Sequence, residues 1–331
     1  MAWKVEASHG IHLPQIGWHL DAHKAVERAF VSHAHFDHLG RHRTVLCSPG
    51  TAALMAARMS VKREMITVPF GRPHPLDSET VCTLHPAGHV LGSAQIRVEN
   101  AHGSLLYTGD FKLRPGLAAE TCETPRADTL IMETTYGRPE YAFPPAEEVM
   151  ARIVDFCRRA IDEGAVPVLF GYSLGRAQEL LAGLRGTGLP VMLHEKAWRI
   201  ARVYESLGIS FPPYRKFDHG TVSGHVVIAP QQSPRSPWMR RIRAARTAAV
   251  SGWALDRGAI YRYRCDAVFP LSDHADFPDL IRFVERVQPR RVYTVHGFAV
   301  EFAQTLRRRG IEAWALGREN QLELPLVGDT P

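Results

Sequence analysis

Residues 32–40 read SHAHFDHLG, with His33, His35, Asp37 and His38 separated only by Ala34 and Phe36. Imidazoles and a carboxylate at that density suit one chemistry above others, the ligation of divalent metal. His33 and His35, two apart on an extended segment, point the same way and can grip one ion. Asp37 and His38 lie further around the loop and suit a second. One loop cannot complete two coordination shells, so other ligands are required. They stand at His89 in HPAGHVLGSA, Asp110 in YTGD and His296 in VYTVHGF. We expect His33, His35, His89 and Asp110 around one ion, and Asp37, His38, Asp110 and His296 around the other, with Asp110 bridging. A hydroxide between ions about 3.5–4 Å apart would be available as a nucleophile near neutral pH. The isolated His9, His74, His85, His102, His194, His219 and His225 read as ordinary surface or core residues.

The candidate groups follow short apolar runs. Ala29–Val31 leads into the His loop, Ser104–Tyr107 into Asp110, Thr129–Met132 into Glu133, and Val292–Val295 into His296. Side chains on loops at the ends of a rigid sheet are how layered αβ folds build sites. The middle third differs. Residues 146–163 carry apolar side chains at helical spacing up to Gly164. Val166–Phe170 reads as a buried strand, GYSLG as a turn and Arg176–Arg185 as a helix, with further strands at Val226–Ala229, Ala248–Ser251 and Ala267–Leu271. This alternation predicts a parallel α/β domain inserted at 141–268 between a first segment, 1–140, and a return segment, 269–331. GYSLG also fits G-x-S-x-G, which would make Ser173 a nucleophile but leave HAHFDH unexplained. The preferred reading has Ser173, Arg176 and the helix amides facing a phosphate; a plain strand–helix turn is the alternative.

The 331 residues are 45% apolar and 22% charged, a globular composition. No apolar run is long enough to span a bilayer, and the N-terminus has no signal-peptide core, so a cytoplasmic protein is expected. Five scattered cysteines without a C-x-x-C pair argue against disulfides and zinc ribbons, and read as small buried hydrophobes. The net charge is +6. From Ser233 to Arg264 eight arginines face one acid, Asp256, with Trp238, Trp253, Tyr261 and Tyr263 among them. Arg235, Arg240, Arg241 and Arg243 are candidate contacts for a phosphate backbone, the alternative being a solvated face.

HAHFDH, AGHVLGS, YTGD and VHG together resemble the metallo-β-lactamase superfamily over nearly the whole chain. The interval from Asp110 to His296 is too long for the plain fold and resembles the β-CASP nuclease group. Glu133 in METTYG resembles that group's motif A acid, His274 in LSDHAD its motif B histidine, and His296 its motif C histidine. Asp21 in HLDAH resembles the opening aspartate that orients a ligand, although GWHLDAH is shorter and more polar than the usual strand there. ETTYG, FGYSLGRAQELL, SPWMRR, SGWA and LSDHADF are similar to bacterial ligase-associated DNA exonucleases. The resemblance implies an α+β fold, an αββα sandwich with an inserted α/β β-CASP domain. It also implies two zinc ions, with manganese as an alternative, and phosphodiester hydrolysis. Asp37, His274 and Glu133 would be catalytic, His274 as general acid oriented by Glu133; support of metal ligands is the alternative for both. Single-stranded DNA is the expected substrate, in repair beside a DNA ligase and a helicase and away from membranes. Competing readings are an RNA-processing endo- or exoribonuclease of the same fold, a small-ester or lactam hydrolase, and a binding scaffold that has lost its ligands. No ligand is missing here.

Overall fold

A computed structural model describes residues 3–317. They form two compact units, residues 3–142 with 274–317, and residues 143–273.

The first unit stacks two sheets. One has six strands in sequence order: Glu6–Ala7, Ile11–Leu13, Trp18–Leu20, Arg28–Phe30, Thr44–Cys47 and Glu64–Thr67. The other has seven, in the order Glu312–Ala315, Arg291–Val295, Thr129–Glu133, Gly103–Tyr107, Ala94–Asn100, Val81–Pro86 and Pro73–Pro75. Strand periodicity sorts the side chains. Leu105, Tyr107 and Ile131 meet Trp18, Leu20, Phe30 and Leu46 between the sheets. Leu106, Leu130 and Met132 face the other way, against helices Phe277–Val287 and Ala299–Arg308. Leu280, Phe283 and Val284 on the first of these helices are buried, each contributing about 1.5–3 kcal/mol of transfer free energy. Helix Pro49–Arg58, capped by Ser48, borders the first sheet. The result is the expected αββα sandwich.

This topology gathers the candidate ligands. Gly103–Tyr107, Thr129–Glu133 and Arg291–Val295 are adjacent and parallel, so Asp110, Glu133 and His296 emerge at one sheet edge. Trp18–Leu20 and Arg28–Phe30 are parallel too, delivering Asp21 and the His loop together.

The second unit is a six-stranded, wholly parallel sheet in the order Tyr214–Lys216, Val191–Leu193, Val226–Ala229, Val166–Phe170, Ala245–Val250, Ala267–Phe269. Helices Ala146–Asp162, Arg176–Gly183 and Glu195–Ser206 cover the face bearing Leu169, Val226 and Ile228. Val168, Phe170, Met192 and Val227 point to the opposite face, which Val222, Met239 and Ile242 cover. Phe269 and Leu271 pack in this unit's core, and residues as far as Asp273 fall within it.

Candidate metal centre

The 3-10 turn Phe36–His38 folds the His loop back on itself and splits its ligands between two directions. His35 Nδ1 lies 2.9 Å from His33 Nε2 and 3.1 Å from His89 Nε2. Asp110 Oδ2 is 3.6 Å from His33 Nε2 and 3.9 Å from His89 Nε2. All four donor atoms lie within 4.8 Å of one another. A tetrahedral zinc with Zn–N bonds of 2.0–2.1 Å separates its ligand atoms by about 3.3 Å, so this donor set fits zinc in both type and spacing.

The second group shares Asp110 but is looser. His38 Nε2 lies 3.3 Å from Asp110 Oδ2 and 3.7 Å from Asp37 Oδ2. Asp37 is exposed, and so is His296, whose ring centre is 5.9 Å from that of His38. His296 has φ 58°, and the neighbouring Gly297, φ 55°, has room for no Cβ, since one would sit 2.4 Å from Thr135 Cα. A tight left-handed turn is therefore what brings His296 back toward the site.

Behind the ligands lies a network that fixes their orientation. Asp21, buried and with φ 46°, accepts hydrogen bonds from Ser32 N (2.7 Å), Ser32 Oγ (2.6 Å) and Tyr107 Oη (2.8 Å), and faces His38 Nδ1 at 2.8 Å. A carboxylate only accepts, so a proton sits on His38 Nδ1, and Nε2, which shares its own proton with Asp110, is the nitrogen that would exchange that proton for a metal. Ser32 Oγ, donating to Asp21, accepts in turn from His33 Nδ1 at 2.9 Å, which puts the lone pair of the neutral ring on Nε2. One aspartate thus sets two tautomers. Burial opposes charge on His38, yet Asp110, Asp21 and Asp37 outweigh it and hold the imidazole well above the usual histidine range. Burial and three neighbouring histidines hold His33 well below it. For Asp110, burial is opposed and overcome by His38 and His274, which keep the carboxyl well below the usual range.

Glu133, fully buried at the end of its strand, accepts from Phe111 N (3.2 Å) and Thr135 N (3.0 Å). Its Oε1 is 2.9 Å from His274 Nδ1. Asp110, Glu133 and His274 place donor atoms within 4.8 Å of one another, and the His274 and His89 rings lie 4.5 Å apart. His274 therefore stands at the rim of the cluster with its second nitrogen unclaimed by Glu133.

The nucleic-acid residues divide. Arg235, Arg240, Arg241 and Arg243 are exposed, and among the described residues none forms an ion pair. Arg176 is corrected. It is 3% exposed, with its guanidinium committed to Asp273 at 2.5 Å and to the carbonyls of Val250 and Leu271, which removes it from reach of a ligand. Ser173 is buried and its hydroxyl has no partner, so no base activates it and the G-x-S-x-G reading fails. Sequence reasoning passed over Ser32, Tyr107 and Glu120. The first two sit inside the motifs SHAHFDH and YTGD; Glu120 accepts from Gly92 N at 2.9 Å and pins the loop that carries His89. All five cysteines are free, with Cys47, Cys82 and Cys157 buried and Cys122 and Cys265 partly so.

Residues 262–316 match the family described as Zn-dependent metallo-hydrolase RNA specificity domain. Over an alignment of 332 positions that covers the whole of this chain, it is 60% identical to a third of the "Probable DNA ligase" of Opitutus terrae. It is 35% identical over 162 residues, 47% of the chain, to the "5' exonuclease Apollo" of Gallus gallus. The chain belongs to the β-CASP group of the metallo-β-lactamase superfamily. This β-CASP chain spans about a third of the length of both relatives. Its fold is shared with a protein of unknown function from Enterococcus faecalis V583, with a TM-score of 0.61 at 13% identity over 89% of this chain and 79% of the other. Among its described residues no helix is long and apolar enough to cross a membrane.

Proposed function

We propose that the chain is a metal-dependent phosphodiesterase acting on nucleic acid and, within that class, a DNA exonuclease of repair. The observation that carries this reading is the juxtaposition at Asp110. A zinc-type donor set lies on one side, and a histidine held by a buried glutamate, outside that set, lies on the other.

His33, His35, His89 and Asp110 would hold one ion; Asp37, His38, Asp110 and His296 would hold a second, zinc or manganese. Bound there, such ions activate water for attack and neutralise charge on the non-bridging oxygens of a phosphodiester. The chain's own residues do the rest. Asp21 keeps a proton on Nδ1 of His38 and, through Ser32, on Nδ1 of His33, so Nε2 of each ring is the nitrogen that would serve a metal. Glu133 accepts from His274 Nδ1 and stabilises its charged form, leaving the other nitrogen to give a proton to the leaving oxygen. Arg235, Arg240, Arg241 and Arg243 supply exposed positive charge for the phosphate backbone.

Similarity to proteins named as a probable DNA ligase and a 5′ exonuclease supports a DNA end as substrate and a setting beside a ligase; the cytoplasm and a helicase belong to the same proposal through the family resemblance alone. The matched family's description as an RNA specificity domain supports the second reading, a ribonuclease of the same fold. The test is incubation of single-stranded DNA and matched RNA, labelled separately at each end, with zinc or manganese and with a chelator control. Terminal mononucleotides released first from DNA, and none under chelation, are expected. An internal ladder on RNA would favour the ribonuclease reading, and inert polymers of both kinds would overturn the proposal.

A further inference from the structure

Strands Tyr214–Lys216, Val191–Leu193 and Val226–Ala229 are parallel neighbours, so the segments that follow them share one edge of the second unit's sheet. Aromatic rings collect there. Phe217 and His194 each directly follow a strand, and Trp238 lies on the connection after the third. The Phe217 and Trp238 ring centres are 4.7 Å apart, His194 meets Trp238 edge-on at 5.4 Å, and His219 meets Phe217 edge-on at 4.6 Å. All four are half-buried, and Phe217 and Trp238 border the core formed by Met192, Val227 and Met239 without being enclosed by it.

We propose that this edge is a base-stacking subsite for single-stranded DNA, in which Phe217, Trp238, His194 and His219 offer ring faces while Arg240, Arg241 and their neighbours take the adjoining phosphates. The proposal rests on the nuclease reading and deepens it by naming where the strand is held.

Three observations carry it. Half of this cluster is imidazole: His194 Nδ1 accepts from Lys196 N at the start of helix Glu195–Ser206 and leaves its ring against Trp238, while His219 Nδ1 makes no hydrogen bond. Next, burial and Lys196 lower the His194 pKa, while burial and Arg241 lower that of His219, so both rings are neutral near pH 7 and suited to stacking. The same interaction places the Arg241 charge beside the cluster. Finally, nearby arginines do pair with acids, Arg246 with Glu163 at 3.0 Å and Arg262 with Asp256 at 2.6 Å, whereas Arg235, Arg240, Arg241 and Arg243 stay exposed without such pairs among the described residues. Parallel sheets bind ligands at the carboxyl ends of their strands, and exposed cations beside ring faces match a strand of phosphates and bases.

The experiment is fluorescence anisotropy of the full chain with a labelled twelve-nucleotide oligothymidylate and with an oligomer of equal length and charge lacking bases, both in chelator so that nothing is cut. Trp238→Ala is expected to weaken binding of the oligothymidylate roughly 5- to 100-fold. Phe217→Leu should do so in the same direction, with Trp238→Phe close to wild type. None should change affinity for the abasic oligomer. Equal losses on both oligomers, or no loss on the oligothymidylate, would overturn the subsite. Should Trp238→Ala not fold, Phe217→Leu and His194→Ala carry the same comparison. Hydrolysis of bis(p-nitrophenyl) phosphate, which has no base, tests the nuclease reading separately; it should proceed unchanged in all these variants.

Discussion

Asp21→Asn replaces one oxygen by an amide nitrogen in a residue that sets two ligand tautomers. Asparagine tolerates the left-handed backbone at φ 46° as well as aspartate does, so the turn survives. The amide oxygen can still accept from Ser32 N, 2.7 Å away in the native protein. The amide nitrogen then replaces Oδ2, which lies 2.8 Å from His38 Nδ1. Two donors cannot face each other, so His38 gives up its Nδ1 proton and keeps the one on Nε2, the nitrogen turned toward Asp110 and Asp37 that a metal would need. The hydroxyls of Ser32 and Tyr107 can rotate to accept, but Ser32 then no longer holds His33 through the same relay. Loss of an outer partner of this kind costs about 10–100-fold in metal affinity, or about 1.4–2.8 kcal/mol. Zinc affinity is read by competition with a chromophoric chelator, and the melting transition in excess chelator confirms that the variant folds. Tyr107→Phe is the control. It removes one donor to the same oxygen but leaves the Nδ1 proton of His38 in place, and its zinc affinity should stay within about threefold of wild type. A folded Asp21→Asn protein that binds zinc as tightly as wild type would refute the tautomer reasoning, as would an equal loss in Tyr107→Phe.

Three further outcomes follow from the same geometry. His274→Ala should retain its metal, measured by atomic emission, while cleavage slows about 10²–10⁴-fold; loss of metal instead would make His274 a ligand. Replacing Arg240, Arg241 and Arg243 together by Gln should weaken binding to any single strand and reduce the slope of log K against log salt by about 0.7 for each lost contact. An unchanged slope would place the backbone elsewhere. Burial pushes the thiols of Cys47, Cys82 and Cys157 up to about 12, so iodoacetamide at pH 8 should leave them unmodified in the folded protein and label them only after denaturation.

The candidate metal cluster was legible because its donor residues are contiguous or end apolar runs, and parallel strand order carries such ends to one edge without further information. Asp21 was harder to place, since GWHLDAH shows little strand character. Its three-residue strand persists because Arg28–Phe30 pairs with it and because Ser32 and Tyr107 converge on its carboxylate. Those contacts are long-range and leave no local signature. Arg176 misled for a related reason: an arginine after a glycine-rich turn looks like an anion contact, and its true partner, Asp273, lies 97 residues further on. Strands Val191–Leu193 and Tyr214–Lys216 escaped notice because three residues show no period, so only their neighbours in the parallel sheet define them. The exposure of His296 was likewise invisible, because it depends on the left-handed turn at Gly297 rather than on the apolar run before it.

The central claim is that one constellation, shared at Asp110, holds two ions. The most direct measurement is the metal content of wild type and Asp110→Ala after dialysis against limiting zinc. The expected result is two equivalents in the wild type and loss of both in the variant, with a folded far-UV spectrum in each. Two equivalents retained by Asp110→Ala, or none bound by the wild type, would contradict it.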